Sequence, residues 1–184
     1  MTAAAKGPPP QLLVVSLLAG EEVCRTKAVE LLAASFGPLI YLSRVLAFPG
    51  QGYYTPEMGP GLTRRLAAFR ELTTPGRLGA HKRLTREMEH ELAREGRRQV
   101  NLDPGLLGPG GFILATTKWR GHRLPLEPGL YSELTLYFHH GGFQPLPWTY
   151  EDYAGAELRK LLGDLRRAYL ALLRESRSQG REIC

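Results

Sequence analysis

Cysteine is scarce in this 184-residue chain: Cys24 and Cys184 are the only two. Two thiols cannot build a disulfide framework for a domain of this size, nor complete a structural zinc site unaided. A reducing, cytoplasmic setting is the expectation. Long hydrophobic runs are missing as well. The most apolar stretch, Leu12 to Ala19, follows Pro8-Pro9-Pro10 and is succeeded by Glu21 and Glu22. It falls far short of the roughly 20 residues that span a bilayer, so no membrane association is expected. The prolines before it argue against a signal-peptide helix. Acidic residues are in deficit, 18 against 24 Lys and Arg, for a net charge of +6. That balance suits a phosphorylated or otherwise anionic small molecule, or nucleic acid. The strings H-E-x-x-H, C-x-x-C and G-x-S-x-G are absent, which removes three common metal, redox and hydrolase signatures.

What is present describes an ordered domain. The chain is 43% hydrophobic and 23% charged, which excludes wholesale disorder. Its 21 glycines and 14 prolines make up about a fifth of the chain, below the low-complexity range of roughly 25–30%. We find no internal repeat or dividing linker. The expected organisation is a flexible tail over 1–10, one domain over 11–176 and a C-terminal tail over 177–184.

Leu12 to Leu18 is apolar at alternate and intervening positions, as a central strand covered on both faces should be. Glu21 and Glu22 then favour the start of a helix, which Gly37-Pro38 ends. Leu39 to Phe48 reads as a second strand, so the chain opens with a strand–helix–strand unit. Residues 49–61 read as a loop, Leu62 to Leu72 as a short helix, and Ala80 to Glu95 as a longer one with Leu84, Met88 and Leu92 on one side. After Gly96 the period becomes two, with short strands at Gln99–Leu102, Phe112–Lys118, His122–Leu126 and Leu130–His139 and an edge at Phe143–Pro147. A leucine-striped helix closes the chain over Ala156–Arg174. The expected fold class is α+β, a mostly antiparallel sheet with helices chiefly on one face.

Five segments carry a resemblance: Tyr53-Tyr54 with Glu57-Met58-Gly59, Asn101 to Gly105, Leu114 to Lys118 with His122-Arg123, Tyr131 to Leu136, and Gln144 to Tyr150 with Asp152-Tyr153. Together they resemble the uncharacterised prokaryotic domain-of-unknown-function family 4416 over nearly the whole chain. The resemblance implies a bacterial or archaeal cytoplasmic protein and supplies no activity or cofactor. Glu151 stands where the family pattern leads us to expect proline, and Arg120 where it leads us to expect an acidic or aromatic residue. Some members carry a GTP-binding label. A phosphate-binding G-x-x-x-x-G-K-[ST] loop is absent here. Thr117-Lys118-Trp119-Arg120 departs from the guanine-reading motif at its fourth position, where an aspartate is needed.

Strand alternation then nominates a site. Tyr131, Glu133, Thr135 and Tyr137 share one side of their strand, Asn101 and Asp103 one side of theirs, and Thr116 and Lys118 one side of a third. If these sides coincide, Asp103, Lys118 and Glu133 gather on a polar sheet face, with His122 beside them as a further catalytic candidate. Asn101, Arg123, Tyr131, Gln144, Trp148 and Tyr150 are the expected ligand contacts, and no metal ligand is assigned. The competing reading is a solvated face whose charges pair across strands. In Gln144–Tyr150, Pro145 and Pro147 stiffen the segment and are expected to bury Trp148. Two functions remain open: a small ligand-binding protein or enzyme for a phosphorylated or anionic metabolite, or a binding module for RNA or a protein. The second would use basic helices carrying Arg64, Arg65 and Arg70, and Arg159, Lys160, Arg166, Arg167 and Arg174.

Overall fold

The computed structural model describes residues 7–178. Nine strands form one antiparallel sheet: β1 (Gln11–Ala19), β2 (Leu39–Leu42), β3 (Leu46–Ala47), β4 (Thr63–Thr73), β5 (Val100–Leu107), β6 (Gly111–Thr116), β7 (Leu124–Glu127), β8 (Leu130–His139) and β9 (Gly142–Pro145). The order is β2-β4-β1-β5-β6-β8-β7, with β3 also on β4 and β9 also on β8. The helices are α1 (Glu22–Phe36), α2 (Gln51–Met58), α3 (Leu78–Glu91), α4 (Glu151–Ala154) and α5 (Ala156–Ser178). The α+β class, the antiparallel sheet and the strand–helix–strand opening match expectation. None of the described helices is long and apolar enough to cross a membrane. The expected tails lie largely outside the described residues.

The helices are divided between the two faces instead of being gathered chiefly on one. Leu13, Val15 and Leu17 of β1 pack with residues of α1 and α3, while Leu12 and Val14 pack with Leu158, Leu162, Leu165 and Tyr169 of α5. The cause lies in β1 itself, whose apolar side chains point both ways and need cover on both sides.

Two stretches fold differently from their local pattern. Thr63–Thr73 is a strand, not a helix. Its Ala, Arg and Leu content favours a helix, but it sits between β1 and β2, where Leu66, Ala67, Ala68 and Phe69 are all buried. Burial on both sides erased the alternation that marks a strand. Within the loop read at 49–61, Gln51–Met58 is helical. The Gln51 side chain holds it down: Nε2 donates to the carbonyls of Phe48 and Leu62, and Oε1 accepts from Leu62 N–H.

One glycine is required by close packing. A Cβ on Gly105 would lie 2.6 Å from the ring of Phe112 on the neighbouring strand, so only glycine lets that buried ring cross β5.

Candidate functional site

The sheet face that packs on α5 is apolar at one end and polar at the other. Toward the polar end, Ser16 lies opposite both Leu66 and Asp103, Leu18 opposite Arg64 and Asn101, and Leu114 opposite Glu133. A β-bulge brings Glu133 to this face. Leu136 pairs with Phe112 and Leu134 with Ile113, leaving Thr135 as the extra residue. Strict alternation put Glu133 and Leu136 on opposite sides; the bulge puts them on one.

A cavity of about 830 Å³ opens over this end. Tyr53 and Tyr54 of α2 form one wall, Tyr150, Asp152 and Tyr153 around α4 another, and Lys82 and Arg86 of α3 a third. α3 reaches the cavity because the sheet is forked. β6 pairs with β5 only at Gly105–Leu107, and Pro104, which has no N–H to donate, marks the split. At Leu102 the missing strand is replaced by α3 side chains: Leu102 N–H donates to Glu89 Oε1 at 2.6 Å, and Lys82 Nζ donates to the Leu102 carbonyl at 2.9 Å.

Lys82 Nζ also donates to Asp103 Oδ1 at 2.8 Å, and Asn101 Nδ2 donates to Asp103 Oδ2 at 2.6 Å. Arg98 extends the chain, donating to Asn101 Oδ1 and Glu57 Oε2. Burial pushes the Asp103 carboxyl up, but the Lys82 charge and the Lys82 and Asn101 hydrogen bonds outweigh it, and its pKa falls below the ordinary value. Asp103 is therefore an ionised hydrogen-bond acceptor at neutral pH. Glu89 moves the other way: burial raises its pKa more than Lys82 and the Leu102 N–H lower it.

Glu133 is only 2% exposed. Its Oε2 accepts from Arg123 Nε at 2.9 Å and shares a hydrogen bond with His122 Nε2 at 3.2 Å, while its Oε1 has no partner among the described residues. Arg123 also donates to the Tyr150 hydroxyl at 3.2 Å. Arg64 forms a buried ion pair with Asp152 at 2.7 Å, and its guanidinium lies over the rings of Phe48 and Tyr153. Its Nε and Nη1 have no hydrogen-bond partner among the described residues.

Lys118 differs from these paired groups. Its ammonium stands 4.3 Å from the centre of the Tyr53 ring and 5.7 Å from that of Tyr150, and its backbone N–H donates to the Thr116 hydroxyl. No carboxylate among the described residues pairs with it. Arg86 and Glu151 also line the cavity, and neither forms an ion pair among the described residues. Among the described residues no three His, Cys, Asp or Glu side chains are grouped to hold a metal ion.

Of the expected site residues, Asn101, Asp103, Lys118, Glu133 and Tyr150 line the one cavity. His122 and Arg123 stand behind Glu133. Tyr131, Gln144 and Trp148 lie outside the lining. Trp148 is 39% exposed, against the expectation of burial. Its indole N–H donates to the Leu134 carbonyl, and its ring stacks on His122 at 4.7 Å. The proline-flanked segment thus clamps His122 from outside instead of filling the core.

Sequence reasoning missed Arg64, Lys82, Glu89 and Arg98. A signal for α3 existed: Lys82, Thr85 and Glu89 recur at helical spacing and are buried, so charged groups sit on a core-facing stripe. Arg64 was hidden by the helix reading of its strand. Of the two expected basic helices, the second is α5 as expected, and the first is a strand. Arg64, Arg65 and Arg70 belong to β4. On α5, Arg159 and Arg166 donate to the carbonyls of Phe143 and Pro109, and Lys160 and Arg167 pair with Asp164.

The chain belongs to the family described as Domain of unknown function (DUF4416), whose family model matches residues 9–169. No curated protein and no solved structure matches it.

Proposed function

We propose that this member of the DUF4416 family binds a small anionic metabolite in the cavity, with Lys118 as the cation that meets its charge. The observation that carries the reading is the state of the charges. The buried cations Arg64 and Lys82 and the half-buried Arg98 are each committed to carboxylates, whereas Lys118 is held on tyrosine faces with no counter-ion among the described residues. A cation–π contact positions an ammonium without neutralising it. The cavity's size lies within the range of small-molecule sites, roughly 300–1,000 Å³.

The roles follow from the geometry. Lys118, with Arg86 across the opening, receives the anion. Asp103, kept ionised by Lys82, accepts hydrogen bonds from the ligand body. Glu133, with one oxygen unpartnered, offers a second acceptor, while His122 and Arg123 hold its other oxygen. Tyr150 couples the wall to Arg123.

Isothermal titration with methyl phosphate at low salt tests the reading. Binding is expected in the native protein and at least tenfold weaker in Lys118→Ala, with the melting temperature unchanged. Absence of binding, or binding indifferent to Lys118, would overturn it. Salt-dependent RNA affinity that ignores Lys118 would support the alternative of a nucleic-acid module.

A further inference from the structure

The cavity holds more than a cation. About the Asp103 carboxylate, each oxygen already accepts one hydrogen bond, from Lys82 and from Asn101, and a carboxylate has about four lone-pair sites. Its side chain keeps 30% of its surface open in the cavity lining. Lys82 neutralises its charge, so what it lacks is a neutral donor and not a second cation. Two further groups point to a ligand rich in hydroxyls. Glu133, with Oε1 unpartnered, and Arg64, with Nε and Nη1 unpartnered, are both more than nine-tenths buried and line the same space. The first asks for a donor and the second for an acceptor, and a hydroxyl is both. Tyr54 of α2 lines the same space.

The aromatic walls do not form a slot for a flat base. Tyr53 and Tyr54 meet edge to face, with ring planes at 81°, and the Lys118 ammonium covers the Tyr53 face.

We propose that the ligand is the phosphate monoester of a sugar or other polyol, its phosphate on Lys118 and its hydroxyls donating to Asp103 and Glu133. This rests on the anion-binding reading above and adds the chemistry of the ligand's other end. A hydroxyl array satisfies these buried groups at once, and a compound lacking it leaves them desolvated and unpaired, which is costly.

Titration of the native protein with methyl phosphate, ribose 5-phosphate and adenosine 5′-monophosphate separates the claims. Ribose 5-phosphate is expected to bind at least tenfold more tightly than methyl phosphate, and Asp103→Asn to erase most of that gain. The comparison between ligands stands even if the variant folds poorly. Equal affinities for ribose 5-phosphate and methyl phosphate would overturn the polyol assignment while leaving anion binding intact. Failure of both compounds to bind would overturn both readings. A nucleotide binding tenfold more tightly than ribose 5-phosphate would show that a base is recognised and would overturn the assignment to a free sugar phosphate.

Discussion

Two halves of one sheet face have different fates. At one end Leu12, Val14, Leu107, Phe112 and Leu136 lie under α5 and form a dry core with Leu162 and Tyr169. At the other end the same strands present Ser16, Asn101, Asp103 and Glu133, walled by the short helices α2 and α4 and by side chains of α3. The backbone is similar in both halves. The difference lies in what covers it, and it teaches that one sheet surface can carry both a dry apolar core and a cluster of buried charged groups. The covered half exchanges water for apolar contact. The open half must instead satisfy each buried charge individually, through Lys82–Asp103, Arg64–Asp152 and Arg123–Glu133.

Substitutions can break that contrast. Phe112→Ala, in the covered half, is expected to cost about 3–5 kcal/mol, because it removes a fully buried ring and leaves a cavity. Urea unfolding measures it. Asp152→Ala, in the open half, is expected to cost about 3 kcal/mol, since it strands a buried guanidinium whose remaining support is the Phe48 and Tyr153 rings. Arg64→Met in the same background should recover much of the loss, and no recovery would show that the pair is not what stabilises this end.

The opposite face of the sheet supplies a third contrast. Burial, with a smaller contribution from Arg77, lowers the His81 pKa to about 4. Its Nε2 shares a hydrogen bond with Thr73, and its ring meets Phe36 edge to face. The folded state thus keeps His81 neutral where the unfolded chain would protonate it. Stability is full above the unfolded value of about 6.5 and falls as pH drops toward 4, by an amount on the order of 2–3 kcal/mol. Asp103 acts in the same sense but lower: its contribution is present above about 3.9 and is lost as pH falls through its depressed folded value. Unfolding at pH 7 and pH 4.5 should show the drop, and His81→Gln should flatten it. A drop of the same size in that variant would assign the effect to other groups. The smallest effect on stability belongs to Lys118→Ala, below about 0.5 kcal/mol, because the side chain is exposed and unpaired. A large loss there would make Lys118 a structural residue.

Much of the architecture was legible in local patterns. The two-sided apolar run of β1, the Gly37-Pro38 stop after α1, the period-two segments after Gly96 and the leucine stripe of α5 each state their structure through spacing alone. Thr63–Thr73 was not legible, because a strand buried on both sides shows no alternation. The site was half legible. Asp103 follows from alternation within β5, whereas Lys118 lies two residues past the end of β6, where alternation no longer fixes its side. Glu133 was chosen by the same rule, yet it reaches the cavity only through the bulge at Thr135, which no local pattern announces.

The sequence by itself determined the elements that depend on neighbours a few residues apart: helix stops, turn positions, apolar stripes, and the class of fold they build. The tertiary structure alone decided which charges meet. Lys82 reaches Asp103 because β6 leaves β5 at Pro104 and opens the sheet to α3; Arg64 meets Asp152 because β4 lies beside β1 and α4 returns over both. Such pairings join residues 21 and 88 positions apart, and no periodicity carries information over that distance. Only the packing that buries them makes their partnership necessary, since an unpaired charge in that interior costs a large share of the fold's net stability.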